Sequence, residues 1–146
     1  MNRRPDRPIR ASRPNGQALV EFAVGIGVFL MLLIGTVDLG RAAYQYNGVS
    51  AAAREIARVA SVHPGSGTLG DSPESAAVTA TQTGLIPGLA VTSYQCIDIG
   101  GTPVAGACHP GDWVRVTVSA AFRPVLPLLV PFGDMRMDSS SSAEIQ

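Results

Sequence analysis

The chain has 146 residues, 46% of them hydrophobic and 5% aromatic, with a formal net charge of +0. That length holds one small domain rather than several. The neutral total is a cancellation: residues 1 to 16 carry five arginines against one aspartate, and the rest of the chain carries the balancing acidic excess. With no lysine anywhere and sixteen glycines, this excludes a uniformly basic nucleic-acid-coating protein. It also limits the globular core, which then needs a cross-link or neighbours to support it.

The N-terminal arm places Arg3, Arg4, Arg7, Arg10 and Arg13 among three prolines, with no aromatic residue and no helical pattern. A nucleic-acid footprint would use basic charge together with stacking or helical presentation. Without either, the arm is a topology signal that stays in the cytoplasm while the following chain crosses the membrane, and no nucleic-acid partner is expected.

From Phe22 to Val37 the sequence is uncharged, and Gln17 to Val20 extend this run to the length of a bilayer-spanning helix. Glu21 is its only ionisable group. A cleaved signal peptide would show a small-residue site just after a shorter apolar stretch, whereas Asp38-Leu39-Gly40-Arg41 follows here. An uncleaved single-pass anchor, or a cut on the cytoplasmic side, fits better, with the C-terminal part outside the cytoplasm.

Helical periodicity continues past the apolar run. Leu39, Ala42, Ala43, Tyr46, Val49, Ala53, Ile56, Ala57 and Ala60 recur at spacings of three and four, while Arg41, Gln45, Arg54 and Arg58 fall elsewhere. One helix from about Gln17 to Ser61 is predicted, roughly 65 to 70 Å long at the helical rise. Asp38 with Arg41 and Glu55 with Arg58 are i,i+3 pairs on its exposed face, and His63-Pro64-Gly65 ends it. The apolar stripe is the face on which the C-terminal part packs. It also suits packing against other copies or partner helices, because alanines here and Gly25, Gly27 and Gly35 in the membrane half permit close approach.

Beyond the helix, Gly65 to Gly70 reads as a loop. Ser72-Pro73-Glu74 is an N-cap, a proline at the first helical position and an acid in the first turn. A short helix to about Thr83 follows, with Gly84 as its stop. Three strands are expected, over Leu89 to Ile99, Asp112 to Phe122 and Asp134 to about Ile145. In the middle one Val114, Val116 and Val118 alternate with Arg115, Thr117 and Ser119. Pro124, Pro127 and Pro131 bar a strand between the last two, and the apolar Val125, Leu126, Leu128, Leu129 and Val130 there either pack down or meet a partner or membrane. The run Ser139 to Ser142 reads as a solvated polar face. The fold class is therefore α+β: a basic leader (1–16), a transmembrane helix (17–37), its amphipathic continuation (38–62), and a small extracytoplasmic head (63–146) with a three-stranded antiparallel sheet laid on the helix.

Cys96 and Cys108 flank Gly100, Gly101, Pro103 and Gly106, a turn composition. Outside the cytoplasm they can oxidise to a disulfide that closes a loop worth about 3 kcal/mol; otherwise they are two buried thiols. Zinc finds no ligand spacing, since His63 and His109 both sit in His-Pro-Gly turns. No phosphate loop, nucleophile elbow or histidine-nucleophile cluster is present, so neither an enzyme nor a cofactor is expected.

Gly16-Gln17-Ala18-Leu19-Val20-Glu21-Phe22, the apolar run, Asp38-Leu39-Gly40-Arg41-Ala42, and Ala51-Ala52-Ala53-Arg54-Glu55-Ile56-Ala57-Arg58 together resemble the TadE-like family, minor pseudopilins of tight-adherence pilus and secretion systems. The likeness is specific over about Asn15 to Ser61 and looser beyond. It implies a pilin-like subunit involved in pilus assembly, cut after Gly16 by a membrane prepilin peptidase to leave Gln17 as the new terminus. Its partners would be that peptidase, other pilin-like subunits and the inner-membrane pilus machinery, and after processing it could stand in a surface pilus. Phe22 occupies the place where the related pilin motif more often has tyrosine.

The chemistry of this motif is sensible in itself. Glycine leaves the backbone bare and extended for a protease. Glu21 stands one helical turn from the new amine, and a carboxylate in the membrane, costing about 2.5–3.5 kcal/mol at its centre, favours a charged partner such as a neighbouring subunit's terminal amine. Taken alone, Glu21 could equally complement the positive start of its own helix. The competing class is a signal-anchored surface protein, never cut, whose head binds a ligand or partner.

Overall fold

The computed structural model describes residues 15–65, 68–105, 108–125 and 133–146. The long helix, α1, runs unbroken over Asn15–Val62, 48 residues, which at the helical rise is about 70 Å. No proline lies inside it. It stops where the His63 amide donates to Val59 O at 2.9 Å and Pro64, lacking an amide, cannot continue the ladder.

The second helix, α2, spans Pro73–Leu85. Ser72 caps it by accepting from the Ser75 amide at 3.1 Å, with Pro73 and Glu74 in the first turn as expected. Its end differs from the expected stop at Gly84, which is still helical. Pro87 sets the boundary instead, because a residue before proline is pushed out of the helical region, and Ile86 is extended at φ −117° and ψ 109°.

Strands β1 (Ala90–Ile97), β2 (Trp113–Phe122) and β3 (Met135–Glu144) form one antiparallel sheet in the order β1-β2-β3. All three fall within the predicted spans. The register of β1 shifts between Val91 and Ser93, a bulge that blunts this edge strand.

The inner face of the sheet lies on α1. Val114, Val116 and Val118 of β2 are completely buried, as are Val49, Ala52, Ala53, Ile56, Ala57 and Ala60 of the helix. Four alanines among those six helix positions let the sheet approach the helix backbone closely. On β3 the residues opposite the valines are Ala143, Ser141 and Ser139. Two of the four serines in the Ser139–Ser142 run therefore lie half-buried on the helix side, rather than forming the solvated face expected of them. Small side chains there serve the same close packing. At β1, Tyr94 packs toward α2, with its hydroxyl 3.3 Å from Thr79 Oγ1. Its ring lies where a Cβ on Gly70 would be, 2.6 Å away, and Gly70 itself has φ +84°; both facts require glycine.

The buried stripe of α1 is shorter than its sequence pattern. Apolar burial begins at Val49, while Leu39 is 72% exposed and Tyr46 and Ala43 are also exposed. Of the apolar stretch after β2, Val125 is exposed, and Leu126, Leu128, Leu129 and Val130 lie outside the described residues.

Cys96 and Cys108 are joined as a disulfide with a Cα–Cα distance of 5.7 Å, resolving the choice left open by sequence. The bond closes the turn at the end of the sheet away from the apolar half of α1. There the Asp112 carboxylate accepts the His109 amide at 2.9 Å, and the Val104 amide donates to Cys96 O at 2.8 Å.

Candidate functional site: the bare half of the long helix

The first half of α1 is long and apolar enough to cross a membrane, and its most apolar 18-residue window has no buried residue. Leucine, isoleucine, phenylalanine and methionine side chains point outward on every side from Leu19 to Leu33. Nothing else in the described chain covers them. A helix apolar all round is stable only in lipid or among other helices.

Gly16, Gln17, Glu21 and Phe22 all stand in the first two turns and are exposed. Gln17 and Glu21 are four apart, so they share one face. Gly16 differs from the extended backbone expected for a protease site: it is already helical. A Cβ placed on it would meet no atom within 4 Å among the described residues, so the backbone is bare there although helical. Glycine is also the poorest helix former after proline, so this first turn opens at the lowest cost.

A second cluster, at the exit from the apolar half, was not legible as a site. Asp38, Arg41 and Gln45 follow a three-then-four spacing and hold the end of β2. Asp38 Oδ2 accepts the Val125 amide at 2.7 Å while Oδ1 accepts from Arg41 at 2.9 Å. Arg41 lies 5.6 Å from the centre of the Phe122 ring, and Gln45 donates to Ala121 O at 3.1 Å. The expected Asp38–Arg41 pair therefore exists, but Asp38 is buried, 4% exposed, rather than on a solvated face. The signal available in the sequence was an aspartate one residue past an apolar run, with polar partners at its third and seventh following positions.

The other expected pair, Glu55 with Arg58, lies on the outer face with a closest approach of 2.6 Å. The hydrogen bond from Arg58, aided by its charge, holds the Glu55 carboxyl below its usual range, and the same bond raises Arg58.

A groove of about 780 Å³ runs between α1 and the end of α2, bordered by Gly40, Tyr44, Gly48, Leu85 and Ile86, with Arg41 as the charged side chain in its lining. Among the described residues no group of three or more His, Cys, Asp or Glu is placed to hold a metal ion.

Residues 16–58 match the TadE family model, described as TadE-like protein. Neither the curated proteins nor the solved structures give a match.

Proposed function

Starting from a chain whose residues 16–58 are TadE-like, we propose a non-enzymatic, pilin-like subunit of a tight-adherence pilus system, anchored by the apolar half of α1 and processed after Gly16. The supporting observation is one continuous helix that is bare over its first half and sheet-covered over its second. Such a rod carries its own head rigidly and offers the uncovered length to other helices. Removal of the arginine arm would free the Gln17 amine near Glu21. In lipid the lone carboxylate is costly by about 2.5–3.5 kcal/mol at the centre and less near the edge. Pairing with a neighbouring subunit's amine offsets that cost and sets the axial stagger between rods.

The test is the intact mass of the protein purified from cells that possess a prepilin peptidase. A chain starting at Gln17 is the expected result, and a chain retaining the arm in those cells overturns the processing reading. Glu21→Gln should leave the cut unchanged while reducing fibre output. The groove beside Tyr44 and Leu85 favours a second reading, an uncut anchor whose head binds a partner. Under that reading Gly16 and Glu21 can both be replaced without effect.

A further inference from the structure

We infer that the outer face of the sheet, at the end away from the apolar half of α1, carries a binding site for a neutral, pyranose-containing glycan. Trp113 and Arg115 stand two apart on β2 and face away from the helix, since Val114 and Val116, which alternate with them, are buried against it. The turn that leaves β1 after Ile97 comes back over these side chains: a Cβ on Gly101 would lie 3.9 Å from Arg115 Nη2. Cys96, bonded to Cys108, pins the root of that turn. Turn and sheet border an open cup of about 330 Å³. Ile97 and Trp113 give it an apolar lining, Arg115, Asp98 and Ser142 its polar groups, and Ile99, 94% exposed, stands on its rim.

The charges in the cup are opposite and do not meet. Arg41, Arg58, Arg123 and Arg136 each hold a carboxylate, whereas half-buried Arg115 makes only the hydrogen bond from Nε to Ser142 Oγ at 3.4 Å. Asp98 Oδ1 accepts the Thr102 amide at 2.8 Å, and among the described residues no ion pair joins Asp98 to Arg115. A group that both donates and accepts fits between them, and a hydroxyl does both. Because the two charges cancel, the cup favours neither an anion nor a cation. Trp113 adds what a pyranose ring needs besides: the C–H groups of the sugar rest on the negative face of the aromatic ring. An apolar lining with a few placed polar groups is the usual make-up of a small-ligand site. A peptide is less well served. On the side of the turn the edge of β1 is already taken, since the Val104 amide donates to Cys96 O at 2.8 Å and Ile97 bridges to Pro103. No open strand is left there for a peptide to extend.

The inference rests neither on a membrane span nor on a cut after Gly16, and it concerns a surface other than the groove beside Tyr44. Trp113 is the chain's single tryptophan, so its emission reports on the cup directly. The full chain is held in a polyoxyethylene detergent, whose headgroup is not a sugar, and titrated with maltohexaose, cellohexaose, chitohexaose and mannohexaose. At least one should shift the emission saturably with a Kd of about 1 mM, as suits so small and open a site. Arg115→Gln and Asp98→Asn both keep Trp113, and the second keeps an oxygen for the Thr102 amide. Each should weaken that Kd about tenfold, while the unfolding midpoint stays where it is in the native protein. Thr117→Ala, on the same face but outside the cup, should bind as the native protein does. No saturable response to any of these sugars overturns the inference. A response confined to trigalacturonate or to a tetrapeptide library, the outcomes for an acidic glycan and for a peptide, also overturns it, as does sugar binding that both variants leave intact.

Discussion

The two halves of α1 share one unbroken backbone yet solve opposite problems. Between Phe22 and Val37 the side chains are uncharged, mostly large and mostly uncovered; between Val49 and Ala60 the inward ones are mostly alanine and completely buried. Burial here follows from side-chain size as much as from hydropathy. Alanines bring the sheet close enough for Val114, Val116 and Val118 to touch the helix, whereas the bulky residues of the first half meet no surface among the described residues. The first half must find its solvent outside the molecule, in lipid or in other helices.

Truncation on each side gives the sharpest way to break this contrast. Ile56→Ala, at a fully buried position, should destabilise the head by about 2–5 kcal/mol, read as a lowered midpoint in chemical unfolding of the detergent-solubilised protein. Leu30→Ala, at a 49% exposed position in the bare half, should leave that midpoint unchanged. Equal losses would mean that the bare half is covered by the head after all.

The disulfide supplies the next largest effect. Replacing both Cys96 and Cys108 with serine should cost about 3 kcal/mol in the chain-entropy account, and reduction of the native protein should produce the same drop. The bond matters because the inner face of the sheet is thin: β3 contributes an alanine and two serines, not large apolar groups, opposite the valines of β2.

At the joint between the halves, Asp38→Ala should cost about 1.5–3 kcal/mol, the loss of the part-buried, charge-assisted hydrogen bond from the Val125 amide. Asp38→Asn, which keeps an acceptor oxygen, should recover much of it. Amide hydrogen exchange at Val125 is the direct readout: fast in Asp38→Ala, slow in the native protein. Were exchange equally slow in both, the clamp would not be what holds the end of β2.

How much of this could be read beforehand depended on whether a feature was periodic or local. The helix, the three strands and the valine alternation of β2 rest on repeating patterns, and the observed elements follow them. The cysteine pairing rested on compartment and turn composition, and it is observed. What escaped notice depended on which residues meet across distance. Leu39 and Tyr46 carry the helical period but stay exposed, because the end of β2 meets the helix there through Asp38, Arg41 and Gln45 instead. Ser139 and Ser141 look like surface residues but face a helix that needs small neighbours. Asp38 looks like half of a surface ion pair until Val125, far along the chain, returns to it. For the candidate processing segment, the spacing of Gly16 and Glu21 was legible, whereas the helical state of Gly16 was not, because glycine alone argues for an open backbone.

The smallest expected effect tests the outer face of the packed half of α1, where Glu55 and Arg58 pair in solvent. Glu55 is held below its ordinary value of 4.5 by Arg58, so any stability from the pair is present above that value and disappears as the pH falls through the lowered one. Arg58 remains charged throughout this window, since its own shift is upward. The native protein and Glu55→Gln should therefore melt together at about pH 3 and separate slightly by about pH 6. The gap should close again in high salt, because an exposed pair is screened. A gap that persisted at low pH or in salt would mean that Glu55 acts through packing, and the outer face would then be a contact surface rather than a solvated one.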